Sequence, residues 1–195
     1  MNIIDLLNPS SYVREEYKQI NQVCSIFVEE SKGLPLLKNL STKYFDIQKV
    51  KVRKKNSSNT FVNTFNEAFE EELDNLHQRA VFANGLDSFE PADPISEGLE
   101  PFYIFPINGY RFMYSSEVEN SNQDYKKVFD SMFEQFGDER GKDVVTDLLK
   151  FTYCHENLYE GIEKGSEIII YNIPYFYAIR ATSDNYTELL TTITS

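Results

Sequence analysis

The sequence predicts an α+β fold: a mixed or antiparallel sheet of short strands and hairpins, packed with helices and preceded by an N-terminal helical arm. Strand-like patterns rich in β-branched and aromatic residues alternate with stretches of helical periodicity. No internal repeat is present, and the order differs from the regular strand–helix alternation of a doubly wound parallel sheet. The predicted strands cluster at residues 47–54, 79–84, 101–115 and 167–181.

The predicted helical arm comprises residues 1–46, and the α+β domain comprises residues 47–195. Within the arm, Tyr17, Ile20 and other apolar residues recur at helical spacing and predict a helix over 10–32. A serine precedes this pattern and can cap the helix, while a Gly and a Pro follow it and end it. Residues 34–46 are predicted to be irregular.

The segment 47–54 alternates apolar and basic residues, as a half-buried strand does. It contains most of the one basic cluster in the chain. One interpretation is a solvated strand face that pairs with acidic neighbours. The other is functional: an anion pocket for a dinucleotide phosphate, or an edge that docks an acidic partner. The cluster consists of Lys43, Lys49, Lys51, Arg53, Lys54 and Lys55.

The rest of the chain divides into helices, one long acidic loop and two predicted hairpins. The loop spans residues 86–100, and we expect it and the arm to be contact surfaces. The first hairpin, 101–115, turns around Asn108 and Gly109, and the second, 167–181, turns through residues 172–174. Residues 185–195 are expected to form a short helix or strand. The predicted helices are 61–76, 121–136, 139–153 and about 156–163.

The charge of the chain excludes several classes of function. The chain has 195 residues, with 19 basic and 31 acidic side chains and a net charge of −12. Such a balance argues against duplex nucleic acid as a partner, because non-specific duplex binding depends on neutralising phosphates. It also argues against a polybasic membrane surface. The 15 Phe and 13 Tyr residues instead predict a well-packed globule.

Other motifs bear on compartment and cofactors. The start of the chain lacks signal-peptide features, and no run of about 20 apolar residues is present. Cys24 and Cys154 stand far apart and fit a reducing compartment, so we expect an intracellular protein or one carried in a particle. Neither a zinc-ligand pattern nor a phosphate-binding glycine loop occurs, so no metal and no cofactor are expected.

Several stretches between about residues 49 and 181 resemble a group of small, uncharacterised tailed-phage proteins. The resemblance implies a bacteriophage accessory protein. Such a protein would be associated with the virion or would bind a host or phage protein, in the host cytoplasm or in the particle. The resembling stretches are 49–53, 61–69, 79–84, 103–114, 165–171 and 175–179.

The order of these pieces also resembles the ADP-ribosyltransferase fold. Active members of that family hold the dinucleotide phosphates with an Arg on an early strand and the ribose with a Glu on a late strand. Arg53 and Glu167 stand at those positions. The resemblance implies NAD as cofactor, with Arg53 pairing with the pyrophosphate and Glu167 stabilising the oxocarbenium ion. Tyr103 or Tyr110 would stack on the nicotinamide.

The sequence departs from the transferase pattern at two places. The middle strand, 79–84, reads Arg-Ala-Val-Phe-Ala-Asn in place of Ser-Thr-Ser, and Gly165 replaces the first Glu of Glu-x-Glu. The leading hypothesis is therefore the non-enzymatic accessory protein, with Lys49, Lys51, Arg53, Tyr103 and Tyr110 as binding residues. The alternatives are an NAD-using enzyme and an acidic inhibitor that mimics nucleic acid. Partner and oligomeric state stay open.

Overall fold

The computed structural model describes residues 9–43, 47–52, 80–92, 97–118 and 152–181, together with five single positions between 124 and 150. Side chains are described from residue 15 onward. The predicted helix at 61–76, most of the region 121–151 and the terminal segment 185–195 lie outside the described residues.

The described elements are three helices and seven strands, which confirms the α+β class. A short 3₁₀ turn, Leu86–Ser88, follows the third strand. The helices are α1 (Pro9–Val23), α2 (Ser25–Glu30) and α3 (Leu158–Glu163). The strands are β1 (Leu36–Ser41), β2 (Ile47–Lys51), β3 (Val81–Gly85), β4 (Leu99–Pro106), β5 (Arg111–Met113), β6 (Glu167–Tyr171) and β7 (Tyr175–Arg180).

All seven strands belong to one sheet in the order β2-β7-β4-β1-β3-β6-β5, and every pairing is antiparallel. Three of the inner strands, β4, β6 and β7, contain continuous apolar runs, because both of their faces are covered. Residues 102–105, 168–170 and 176–179 are all buried. These three runs contribute 11 of the 31 buried hydrophobic residues in the described part of the chain.

Both predicted hairpins are wrong in their pairing, although their strands are present. β4 pairs with β1 and β7, while β5 pairs with β6. In the same way β6 pairs with β3, and β7 pairs with β2 and β4. A turn sequence between two strand-like runs shows where the chain changes direction. It does not show that the two runs become neighbours.

The sheet is strongly bent. The connections from β4 to β5 and from β6 to β7 are too short to join these strands in a flat sheet. β6 and β7 stand four positions apart in the strand order, which is about 19 Å in a flat sheet. The four steps from Tyr171 to Tyr175 span at most about 14 Å. We therefore distinguish two half-sheets, β2-β7-β4-β1 and β3-β6-β5, which are connected in sequence by residues 107–110 and 172–174.

The two half-sheets meet where β1 and β3 pair, and that pairing is brief. Only Leu36 with Gly85 and Leu37 with Asn84 are in register. Beyond them the strands separate, and the Lys38 Nζ atom donates a hydrogen bond to the Phe82 carbonyl oxygen at 2.8 Å. A side chain thus satisfies a backbone acceptor where the ladder has ended.

The prediction that residues 34–46 are irregular is wrong, since β1 lies there and is the central strand of the sheet. Leu36, Leu37 and Leu40 are buried, but two polar residues interrupt the alternation between them. Lys38 bonds Phe82 as described. The Asn39 side chain bonds the loop backbone at Glu90 and Ala92. This fixes the segment around Glu90 and Ala92, which lies between β3 and β4, against β1.

The predicted helix 10–32 forms as two helices, α1 and α2, with a break at Cys24 (φ −117°, ψ 15°). Asn108, in the β4–β5 connection, bonds both sides of the break. Its Oδ1 atom accepts from the Ile26 amide at 3.1 Å, and its Nδ2 atom donates to Gln22 and Ser25. The connection between half-sheets is thereby held against the helices, whose buried residues are Tyr17, Ile20, Cys24 and Phe27.

Helix α3 confirms the prediction at about 156–163, and one of its residues has no room for a side chain. A Cβ atom on Gly161 would lie 2.7 Å from the ring of Tyr114, which is buried. Alanine favours a helix over glycine by about 1 kcal/mol. Overpacking a core costs about 1–3 kcal/mol, which is larger.

We therefore predict that Gly161→Ala lowers the free energy of unfolding by up to about 2 kcal/mol, which is the cost of overpacking less the gain in helix propensity. Urea denaturation measures this change. Glu163→Ala, at an exposed position of the same helix, is the control and should have a smaller effect. A Gly161→Ala variant as stable as the wild type, or more so, would contradict the packing described.

Candidate functional site

The predicted site residues fall into two groups in the structure. Lys49 and Lys51 lie on β2 and are exposed to solvent. Tyr103, Tyr110 and Glu167 are all buried. Arg53 lies outside the described residues. The exposed group and a neighbouring tyrosine form a site that we call the β2 edge: Lys49, Lys51 and Tyr175.

β2 lies at one end of the sheet and pairs only with β7 among the described strands. The Val52 amide donates to the Pro174 carbonyl at 3.0 Å, which fixes the alternation of the ladder. In an antiparallel pair every second residue directs its backbone groups to the same neighbour. The backbone N–H and C=O groups of Gln48 and Val50 therefore point toward β7. The backbone groups of Lys49 and Lys51 point outward.

The two lysine side chains lie on one face of the sheet. Their register partners on β7 are Tyr177 and Tyr175. The Lys49 Nζ atom lies 3.4 Å from the centroid of the Tyr175 ring. That ring packs edge-on against Tyr177, with 5.9 Å between centroids. The ammonium group of Lys49 is thus held by a cation–π contact on a ring that is itself fixed.

Tyr175 is the member of this site that the sequence prediction missed. Its position in a Tyr-Phe-Tyr run on β7 predicts a strand, but contact with Lys49 depends on the β2–β7 register. The hairpin prediction paired β7 with β6 instead. The register between segments 47–51 and 175–179 brings Lys49 and Tyr175 together, and the local pattern of neither segment indicates that register.

Charge makes the β2 edge distinct from the rest of the chain. The chain carries a net charge of −12, whereas β2 presents two exposed cations and no acidic residue. Arg53, Lys54 and Lys55 follow in the sequence. At physiological salt, charges act over about 8 Å, so a group that contacts β2 is affected mainly by Lys49 and Lys51. The edge therefore favours an anionic group.

Tyr110 connects α2 to the β4–β5 connection. Its hydroxyl donates to the Glu30 carboxylate, and its ring packs edge-on against Phe27 at 6.0 Å. Burial, and then the hydrogen bond to Glu30, raises the pKa of Tyr110. Tyr103 lies on β4, where burial raises its pKa as well. Both tyrosines contribute to packing, and a binding role for them stays a prediction.

Glu167 begins β6, on the other half-sheet from Lys49 and Lys51. It is 6% exposed, its amide donates to the Val118 carbonyl at 3.1 Å, and its register partner is Asn84. Four strands separate β6 from β2 in the sheet order. The described residues thus assemble Lys49 and Lys51 with Tyr175, and place Glu167 elsewhere. Its catalytic role stays a prediction.

The described part of the chain also bears on metal binding, membrane insertion and thiol chemistry. No group of three or more His, Cys, Asp and Glu residues is placed there to hold a metal ion. Within the same residues, no helix has the length and apolar character needed to cross a membrane. Cys24 is buried and Cys154 is exposed, and both thiols are free.

Comparisons with protein-family models, curated proteins and solved structures find no match for the chain. Membership of a tailed-phage family and of the ADP-ribosyltransferase fold therefore stays a prediction from the sequence.

The Tyr110–Glu30 bond gives a prediction about stability and pH. Hydrogen bonds to charged groups contribute more than neutral ones, so Tyr110→Phe should cost about 1–2 kcal/mol at neutral pH. A raised pKa means that this stability is present below the ordinary tyrosine pKa of about 10 and is lost as pH rises above it. Chemical denaturation at pH 7 and at about pH 10.5 measures both effects.

The matched control is Tyr159→Phe, since the Tyr159 hydroxyl donates to Glu163 at 2.7 Å on the exposed surface of α3. We expect Tyr159→Phe to lose less stability than Tyr110→Phe at neutral pH. The wild type loses stability as the pH rises, and we expect Tyr110→Phe to reduce that loss more than Tyr159→Phe does. Equal effects of the two substitutions would contradict the role assigned to Tyr110.

Proposed function

We propose that the chain is a non-enzymatic accessory protein that binds an acidic surface of a partner protein through the β2 edge. One observation carries the proposal: an edge strand of an acidic chain presents two exposed lysines on one face, beside outward-pointing backbone groups. The sequence resemblance to tailed-phage proteins favours a phage or host protein as the partner. It also favours action in the host cytoplasm or in the virion.

Edge lysines have a second, protective role in many sheets, because they discourage association with other edges. The two roles are compatible here. Pairing of two β2 strands would bring lysines close to lysines, which is destabilising. An acidic partner would instead bring carboxylates close to the lysines, and pairs of opposite charge are stabilising. The edge therefore selects against a second copy of itself and favours a negatively charged protein.

The contact between Lys49 and Tyr175 distinguishes this edge from a merely solvated one. A free lysine loses about 2 kcal/mol of side-chain entropy when a partner immobilises it. Lys49 already lies on the Tyr175 ring, so part of that loss has occurred before binding. A pre-positioned ammonium group favours specific contact with a carboxylate.

Nucleic acid fits the edge less well than an acidic protein segment does. Lys49 and Lys51 stand about 7 Å apart along the strand, a distance that a short peptide spans. Duplex DNA carries one charge per about 1.7 Å and needs a wide basic surface. The excess of 12 acidic groups over basic ones opposes such a long polyanion.

The proposal predicts that Lys49→Gln/Lys51→Gln weakens binding of an acidic peptide. The probe is a labelled ten-residue peptide of Glu and Ser, called the Glu–Ser peptide. A peptide in which Gln replaces every Glu serves as the neutral comparison. Loss of two charge-assisted contacts should weaken binding at least about fivefold, and added salt should weaken wild-type binding. Fluorescence anisotropy measures the affinity.

The control variant is Lys18→Gln/Lys164→Gln, which also removes two positive charges, from exposed positions on α1 and directly after α3. It should bind the Glu–Ser peptide as the wild type does. Equal weakening in both double variants, or no preference for the Glu–Ser peptide over its neutral counterpart, would contradict the proposed function.

A further inference from the structure

We infer that the acidic partner segment binds β2 as an added antiparallel strand, with acidic residues at every second position opposite Lys49 and Lys51. The inference rests on the proposed function and specifies its ligand. The recognised segment is extended and has the pattern acid-x-acid. Added-strand binding of this kind takes its affinity from backbone hydrogen bonds and its specificity from alternate side chains.

The backbone of β2 is prepared for such an addition. The hydrogen bond from Val52 to Pro174 directs the groups of Gln48 and Val50 to β7. Those of Lys49 and Lys51 point away from the sheet, and no described strand pairs with them. Every pairing in the sheet is antiparallel, and antiparallel pairing is slightly more stable per residue, so the added strand takes that direction.

The side chains fix the spacing of the ligand. Lys49 and Lys51 lie on one face about 7 Å apart, which is the spacing of residues i and i+2 in an extended peptide. Two adjacent acids would point to opposite faces of the added strand. One of them would then lie on the face of Val50, which is buried among apolar neighbours. Alternation therefore fits the edge, and a contiguous acidic run does not.

The residue between the two acids has its own environment. It points to the face that carries Val50 and Val52, both of which are buried. A β-branched apolar residue suits this position, since it packs well on a pleated, half-buried surface. The ligand class is therefore an extended Glu-Val-Glu type of segment.

Two peptides of identical composition test the spacing. One has the alternating sequence Glu-Val-Glu-Val-Glu, and the other has the blocked sequence Glu-Glu-Glu-Val-Val, each flanked by two Gly and carrying a fluorophore. We expect the alternating peptide to bind the full chain at least about tenfold more tightly, a difference of about 1.4 kcal/mol. Equal affinities would overturn the inference and leave the proposed function standing.

Backbone N-methylation tests the added-strand geometry. In the antiparallel arrangement the glutamate N–H groups of the alternating peptide face β2, and the valine N–H groups face solvent. Methylation at the central Glu should abolish binding, while methylation at one Val should leave most of it. Equal effects at the two positions would overturn the inference. Failure of both unmethylated peptides to bind would contradict the proposed function as well.

Variants of Tyr175 and a nucleic-acid probe complete the test. Tyr175→Phe keeps the ring under Lys49 and should bind as the wild type, whereas Tyr175→Leu should bind about two- to fivefold more weakly. Thermal denaturation checks that both variants fold. A single-stranded oligothymidine should not compete with the alternating peptide. Competition at equal concentration would overturn the assignment of a protein ligand.

Discussion

The bend of the sheet is the constraint on which the rest of the structure depends. Two connections of three and four residues link strands that stand four positions apart, and no flat sheet permits this. The bend accompanies a β1–β3 pairing of only two residues on each strand, and Lys38 satisfies the Phe82 carbonyl where the pairing ends. Asn108 then fixes one connection to the break between α1 and α2.

The same constraint builds the candidate site. The connection 172–174 delivers the chain from β6 to the start of β7, where Tyr175 is the first residue. Pro174, at its end, accepts the Val52 hydrogen bond that sets the orientation of β2. The segment that carries the chain across the bend therefore also places an aromatic ring under Lys49. Fold and site share one short stretch of chain.

Sequence patterns located most of the described strands but not their partners. Runs such as Ile168–Ile170 show burial locally, whereas pairing depends on residues far away in the chain, so both hairpins were wrong. β1 was missed because Lys38 and Asn39 interrupt its apolar pattern, and their polar partners, the Phe82 carbonyl on β3 and the loop carbonyl of Glu90, lie far away in the sequence. Alternation predicted the basic strand β2. The position of β2 at an edge of the sheet and its contact with Tyr175 could be found only from the pairing register of β2 with β7.

The outward orientation of Lys49 and Lys51 is the central claim, and residue-resolved amide hydrogen exchange by NMR tests it most directly. In the free protein the amides of Lys49 and Lys51 should exchange much faster than those of Gln48, Val50 and Val52, which face β7. Saturation with the alternating acidic peptide should slow the two lysine amides and leave the others unchanged. Lysine amides as protected as Val50 in the free protein would contradict the account.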